Sequence, residues 1–398
     1  MRRRVGFIGF GFIGGVHAFA YRALPFHYER LPGEYELAAV ATSRPETAEA
    51  ARARGGFTRA ARDWREIIED PSIEIVHIAT PNVYHREVLC AAIEAGKHIY
   101  CEKPLAATLA EARAVGAKLA SYGGTSQMVL QNRFFAATVK AAELAREGFL
   151  GEVLCVRGAY LHSGTLDAHK ALNWKATIAQ GGGGVVNDLG PHILDLVELL
   201  AGPIDAVSAA TRIALPDRRV VVGGADAGPP TAEDHAVALV RLAGGGTGTV
   251  EVSKVATGTL DELRIEVHGT GGALRFDLMT PNWLDVFDQR RPEEGWRRVP
   301  TIGNYPDKNA LRGKNAIGWV RSHIACLYNF LCAAAEGRPA APDLAAAIQD
   351  SDVAVDLLER AVRLAEEQAS PFAPRAQMNL GLAYRVRATW QVVQNDFV

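Results

Sequence analysis

No Cys-x-x-Cys pair occurs in this chain, and its five cysteines (Cys90, Cys101, Cys155, Cys326 and Cys332) are odd in number and widely scattered. That spacing argues against a disulfide framework or a zinc site and predicts reduced, mostly buried thiols. Charge of one sign is also scarce. Lys and Arg number 43 against 45 Asp and Glu, a net charge of −2, so no bulk basicity recruits nucleic acid or an anionic membrane. Long unbroken hydrophobic runs are absent too. The apolar stretch that follows Arg2-Arg3-Arg4 is interrupted by Gly6, Gly9, Gly11, Gly14 and Gly15, a poor texture for a secretory core or a membrane span. A cytoplasmic protein with no nucleic-acid, membrane or metal partner is the expectation.

What is present is a globular composition, 48% hydrophobic and 22% charged over 398 residues, enough for two or three domains. From residue 4 to about 132, short apolar strands (5–8, 35–41, 73–79, 98–101 and 127–130) alternate with helical segments (14–24, 45–54, 84–95 and 108–122). Such alternation predicts a doubly wound parallel sheet with helices on both faces. After residue 150 strands dominate (153–160, 206–213, 235–242, 246–255, 263–268 and 273–277), interrupted by one helix over 185–200. That grouping predicts an α+β unit with a large, mostly antiparallel open sheet. Helical periodicity returns over 319–336 and 344–367. The division expected is 1–132, 133–370 and a tail of 371–398 packing on the domain or on a neighbouring subunit.

Three segments carry chemistry. Gly9-Phe10-Gly11-Phe12-Ile13-Gly14 follows the first strand and opens a helix, the setting in which glycines let backbone approach a dinucleotide pyrophosphate. Ala79-Thr80-Pro81-Asn82, with His85 beyond it, and Glu102-Lys103-Pro104 each follow a strand end, where open α/β sheets place ligands. All these residues are therefore expected at the coenzyme. After the second strand the acid usual for NAD is missing. Thr42, Ser43 and Arg44 stand there instead, hydroxyls and a guanidinium suited to a 2′-phosphate, so NADP(H) is favoured and NAD(H) possible. The third segment is the glycine run from Gly181, leading to Asp188 and His192. At i and i+4 of a helix the two share a face, so Asp188 is expected to orient His192. Pro191 between them should kink that helix.

Read with Ala95-Gly-Lys-His-Ile-Tyr-Cys-Glu-Lys-Pro-Leu105, Asn132-Arg133, Glu147-Gly-Phe-Leu-Gly-Glu152 and the 182–195 stretch, the chain resembles the glucose–fructose oxidoreductase / inositol dehydrogenase / MocA family of NAD(P)-dependent oxidoreductases. The resemblance implies a Rossmann domain followed by an open α/β domain whose sheet often forms a dimer or tetramer interface. It also implies a catalytic lysine, aspartate and histidine, which fall on Lys103, Asp188 and His192.

The roles follow from chemistry as well. A histidine titrating near pH ~6.5 suits an alcohol–ketone couple at neutral pH, and a lysine beside the oxygen favours its alkoxide character. Tyr160, His162, Trp174 and Lys175 are aromatic and polar groups of the kind that bind polyols, and Arg133 could reach the same cleft. The expected activity is hydride transfer between the nicotinamide and a secondary hydroxyl or ketone of a sugar, glycoside or cyclitol. An NAD-dependent glycosidase cycle and a non-catalytic coenzyme-binding regulator are the alternatives.

Overall fold

The structure, a computed structural model, describes residues 2–167, 169–305 and 315–347. The predicted helix over 344–367 lies largely, and the 371–398 tail wholly, outside them. Six strands build the first sheet: β1 (Arg2–Ile8), β2 (Glu34–Ala41), β3 (Arg59–Ala61), β4 (Ile73–Ile78), β5 (His98–Glu102) and β6 (Ser126–Val129). All pairs are parallel, in the order β3-β2-β1-β4-β5-β6. Val5, Phe7, Val40, Ile75, Val76 and Ile78 are fully buried, as expected of strands covered on both faces. The order reverses between β1 and β4, so the crevice at their carboxyl ends is where a dinucleotide fits.

Helices α1 (Phe12–His27), α2 (Pro45–Gly55), α3 (Arg65–Ile68), α4 (His85–Glu94) and α5 (Leu109–Leu119) cover this sheet. Their ends follow from local chemistry. Proline opens α2 and Gly56, at φ +70°, closes it, while Thr108 and Glu111 form a reciprocal capping box on α5.

The second body begins with α6 (Ala136–Arg146) and β7 (Val153–Leu161). It continues through α7 (Ile178–Gly181), α8 (Val185–Asp188) and α9 (Gly190–Ala201) to β8 (Ile204–Arg212). A two-stranded hairpin, β9 (Val221–Val222) and β10 (Ala225–Asp226), precedes β11 (His235–Leu242), β12 (Thr247–Ser253), β13 (Glu262–Gly269), β14 (Gly272–Asp277), β15 (Trp283–Asp288) and β16 (Arg297–Pro300). The eight-stranded sheet runs β16-β15-β14-β13-β7-β12-β11-β8. Its pairs are antiparallel except β12 on β7. β15 and β16 extend it beyond the six strands expected.

Ile193, Leu196, Val197 and Leu200 of α9 bury one face of this sheet, while Leu239, 62% exposed, and Val237 stand on the other. The last described helix, α10 (Trp319–Glu336), returns to the first body. Ile324, Leu327 and Phe330 pack there with Val5, Phe7 and Tyr100. Among the described residues no helix is long and apolar enough to cross a membrane.

The single helix expected over 185–200 is two helices. α8 ends at Asp188 and α9 starts at Gly190, with Pro191 in its first turn. Proline cannot donate its nitrogen to the preceding turn, so the ladder stops and restarts.

Candidate active site

The glycine loop is built for an anion. Gly9 sits at φ +89°, and a Cβ there would lie 2.4 Å from Ala79 O, whereas a Cβ at Gly11 would meet nothing within 4 Å. α1 begins at this open position with no side-chain cap and no acid in its first turn. Its first amides are therefore free for a pyrophosphate. Phe12 is 74% exposed and stacks on Trp319 of α10, ring centroids 6.0 Å apart. Phe10 packs edge-on against Phe7 and Phe57, so its ring braces the loop from the core side. The hydroxyl of Thr42 lies 2.6 Å from that of Thr47 and donates to Arg44 O, which leaves Ser43 and Arg44 as the exposed groups of that loop.

Several other residues expected at the coenzyme also tie the loops around it together. His85 is fully buried, its ring nitrogens 2.7 Å from Pro104 O and 3.0 Å from Thr80 O. It joins the loops that follow β4 and β5. Glu102 is buried with Oε1 3.2 Å from His17 Nε2. Burial alone would raise its pKa, but His17, Lys103 and His323 together hold it down to about 2. Asn82 donates its amide to Gly181 O at 2.7 Å and so ties the first body to the glycine run. Pro81 lies between these supports, and the buried Thr80 Oγ1 has no partner, a polar atom left for a ligand.

The glycine run threads a narrow gap. A Cβ on Gly182, at φ +68°, would fall 2.2 Å from Ala107 O, and one on Gly184 would fall 1.8 Å from Glu233 O. The carboxylate of Glu233, itself buried, accepts from the amides of Gly184 and Val186. It thereby anchors the start of α8, whose last residue is Asp188.

The second sheet delivers its groups along one edge. β7 and β12 run parallel with Leu161 opposite Ser253, so His162 and Lys254 leave side by side. β11 and β13 start at that same edge, since His235 pairs with Ser253 and Glu262 with Leu161, which places Glu233 and Asp261 there too.

Asp188 is the hub. Lys103 Nζ lies 2.8 Å and Lys175 Nζ 2.7 Å from Oδ1, and Lys254 Nζ lies 3.0 Å from Oδ2. Lys103 also donates to the Asp188 carbonyl at 2.6 Å. Burial pulls the Asp188 pKa upward, yet the three ammonium groups hold it well below the usual carboxylate range. Burial lowers the pKa of Lys103, with Lys175 adding to that and Asp188 opposing it. Burial, then the charge on Lys103, takes His192 down to about 3.

The expected contact from Asp188 to His192 is absent. Both carboxylate oxygens face lysines, and the buried Nδ1 of His192 has no partner. The break at Leu189 ends the i, i+4 relation that would have joined them. Tyr160, expected at the substrate, is buried in the core and meets the His192 ring edge-on at 5.8 Å. Arg133 holds Asp195 through paired bonds of 2.7 and 2.8 Å, a link from the end of the Rossmann sheet to α9. Trp174 is half-buried beneath Lys175 Nζ, 5.7 Å from its ring, and His162 accepts from the Gly164 amide at its edge of the sheet.

Lys254, Glu233 and His17 escaped the sequence reading. Lys254 falls within the apolar strand expected over 246–255, and only its position just past β12 marks it. A cavity behind α8 and α9, walled by Leu105, Leu109, Met128, Leu194 and Val250, touches Lys103 at one corner. Its lining is mostly aliphatic, with Thr108, Asn187, Asp195, Glu198 and Thr211 at its walls, and the cleft at Asp188 gathers more charged groups for a polyol to bond.

A switch-point crevice with an uncapped glycine loop, facing buried lysine, carboxylate and imidazole, defines a dinucleotide-dependent oxidoreductase. Residues 3–129 match the oxidoreductase family with NAD-binding Rossmann fold, and residues 138–275 match the GFO/IDH/MocA C-terminal domain. The chain belongs to the Gfo/Idh/MocA family of oxidoreductases. It is 33% identical over 374 residues to levoglucosan dehydrogenase of Pseudarthrobacter phenanthrenivorans, covering 90% of this chain and 96% of the relative. Over 241 residues, 60% of this chain and 67% of the relative, it is 29% identical to 1,5-anhydro-D-fructose reductase of Ensifer adhaerens. The solved structure of levoglucosan dehydrogenase in complex with NADH and levoglucosan superposes with a TM-score of 0.82, covering 88% of this chain and 94% of that one.

Proposed function

We propose that this enzyme oxidises a secondary hydroxyl of a sugar, glycoside or cyclitol, or reduces the matching ketone, with a nicotinamide dinucleotide as hydride carrier. The observation that carries the reading is the gathering of Lys103, Asp188 and His192 at the carboxyl ends of the Rossmann strands, beside the open glycine loop. The names of its relatives, a levoglucosan dehydrogenase and an anhydrofructose reductase, support a sugar as substrate.

The loop amides of residues 9–14 would hold the pyrophosphate, and the bound nicotinamide supplies hydride acceptance and return. The protein handles the proton and the oxygen. His192, held down at about 3 and so a weaker base than the sequence leads one to expect, is neutral at pH 7. It takes the hydroxyl proton in oxidation and gives it back in reduction, assistance worth roughly 10²–10⁴-fold. Lys103 donates to the reacting oxygen and stabilises its growing negative charge. Asp188 fixes the three ammonium groups and balances part of their charge. Trp174, Lys175 and His162 form the wall that meets the rest of the polyol.

For the coenzyme we propose that NADP(H) is accepted alongside NAD(H). Thr42 stands directly after β2 where an acid is usual, and Ser43 and Arg44 are exposed beside it, which admits a 2′-phosphate. The nearest carboxylate, Glu46, lies in the first turn of α2. NADH is the coenzyme named for the relative's structures. A cytoplasmic location, and a homodimer or homotetramer formed through the bare sheet face around Leu239, complete the reading.

A panel of sugars and cyclitols, run with NAD⁺ and NADP⁺ side by side, tests it through the absorbance of the reduced nicotinamide. Reduced coenzyme with at least one polyol is expected. Glycoside cleavage without net reduction would point to the hydrolytic cycle, and no reaction at all would sink the proposal. Arg44→Ala should erode the NADP⁺ share; an unmoved NADP⁺/NAD⁺ ratio removes the coenzyme part.

A further inference from the structure

Residues 162–176 bring His162, Trp174 and Lys175 to the cleft, yet among the described residues there the only regular element is a single turn, Trp174–Ala176. What holds this wall lies some fifty residues further on, in the insert 218–231, within the stretch between the paired strands β8 and β11 that carries the β9–β10 hairpin. Arg218 Nη1 donates to Thr165 O at 2.6 Å, and its Nη2 donates to Asp167 O at 2.7 Å and to Lys170 O. One guanidinium thus gathers three carbonyls of the wall through two nitrogens of its rigid fork, whereas a lysine's three donors radiate from a single atom.

The next residues continue the contact. Leu172 donates to Arg219 O, Val221 donates to Leu172 O, and Leu172 bridges Val220 as an isolated strand residue. At the far end Thr231 and Ala232 both donate to Ala176 O, and Thr231 Oγ1 accepts from Ile178.

The braced wall is itself tied to the reacting groups. The amide and hydroxyl of Thr165 both bond Lys254 O, at 3.2 and 2.8 Å, and Lys254 and Lys175 end on Asp188. Among the described residues no hydrogen bond joins the insert to the glycine loop of residues 9–14.

We propose that the insert 218–231, acting through Arg218, is the specificity element of this enzyme: it sets the wall against which the polyol ring is held and leaves coenzyme binding untouched. Arg218 is a positioning residue, since it touches the wall and not the reacting atoms. A segment without a ladder of its own opens at low free energy, and charge-assisted bonds to its carbonyls are what resist that opening. The inference rests on the polyol reading of the cleft.

Full-length enzyme carrying Arg218→Ala or Arg218→Lys tests it, with levoglucosan and NAD⁺ as probes. The alanine variant should raise the KM for levoglucosan roughly tenfold while kcat and the KM for NAD⁺ stay within about twofold. The lysine variant should lie nearer alanine than wild type. Amide exchange over 162–176 should accelerate roughly tenfold, with β1 and β4 unchanged. Unchanged exchange in the wall, or the two KM values rising together, overturns the proposal. Should Arg218→Ala fail to fold, Thr231→Val removes one hydroxyl contact at the other end and is read by the same two measurements. A wild-type enzyme that oxidises no polyol sinks the functional reading instead, while the exchange data still decide whether Arg218 braces the wall.

Discussion

Replacing Asp188 by asparagine keeps the shape of the side chain and removes the one negative charge on which three ammonium groups converge. Their contacts are 2.7, 2.8 and 3.0 Å. With an effective dielectric constant of about 20, each amounts to roughly 6 kcal/mol before desolvation is counted. The net loss is smaller, because stranding one side of a buried pair costs about 3–5 kcal/mol.

Three lysines around a neutral amide repel, and the group that yields is the one already weakened. Lys103 is lowered by burial and by Lys175 and supported chiefly by Asp188, so it should shed its proton nearer neutrality. The variant's kcat/KM should fall by roughly 10²–10⁴-fold, and the alkaline limb of its pH profile should move to lower pH.

The sign for stability follows from proton counts. A lysine whose folded pKa lies below its unfolded one binds fewer protons when folded, so stability rises with pH. Asp188→Asn should therefore recover stability between about pH 7 and pH 10 more steeply than wild type. Adding Lys254→Met, which removes one surplus charge, should restore part of the loss at neutral pH. Urea unfolding across that range, paired with steady-state kinetics, measures both effects. Equal stability of the variant and wild type at neutral pH, with an unmoved alkaline limb, would refute the charge-balance reasoning.

Three further outcomes are expected. Gly184→Ala would force a Cβ to 1.8 Å from Glu233 O, so the loop must shift, and activity should drop by at least about 10²-fold even where circular dichroism is unchanged. His192→Gln should lower kcat by roughly 10²–10⁴-fold with little change in the KM for the coenzyme, and a loss under about threefold would remove His192 from proton transfer. His192 and His323 are both held near about 3, by burial first. Each stays neutral when folded but protonates when unfolded, so stability should fall as pH drops below the ordinary histidine value, by about 3 kcal/mol per ring near pH 4. Flat unfolding midpoints across that window would contradict their burial as neutral rings.

Much of the fold was legible because alternation and turn residues are local signals. Buried runs such as 73–79 and the glycine loop at 9–14 mark parallel strands and a switch point without help from distant residues. The candidate site was legible where a residue follows a strand end, as Lys103 does, and illegible where long-range packing decides.

The spacing of Asp188 and His192 pointed to a shared helical face, but Pro191 and Gly190 break the helix between them and turn the carboxylate toward three lysines. Lys254 looked like the end of a strand, and only the parallel pairing of β12 with β7 reveals that it shares an edge with His162. Arg133 and Tyr160 have the chemistry of sugar ligands, yet Asp195 claims one and the core beside His192 claims the other. Composition cannot distinguish a buried partner from an open one.

Helix α10 closes the hydrophobic underside of a sheet completed almost two hundred residues before it. Phe330 rests 5.2 Å from Tyr100, and Trp319 lies flat on Phe12 at the mouth of the coenzyme loop. A ribosome must therefore finish the whole second sheet before the first can be sealed. A fragment ending near residue 132 would present a bare apolar floor where Ile324, Leu327 and Phe330 belong.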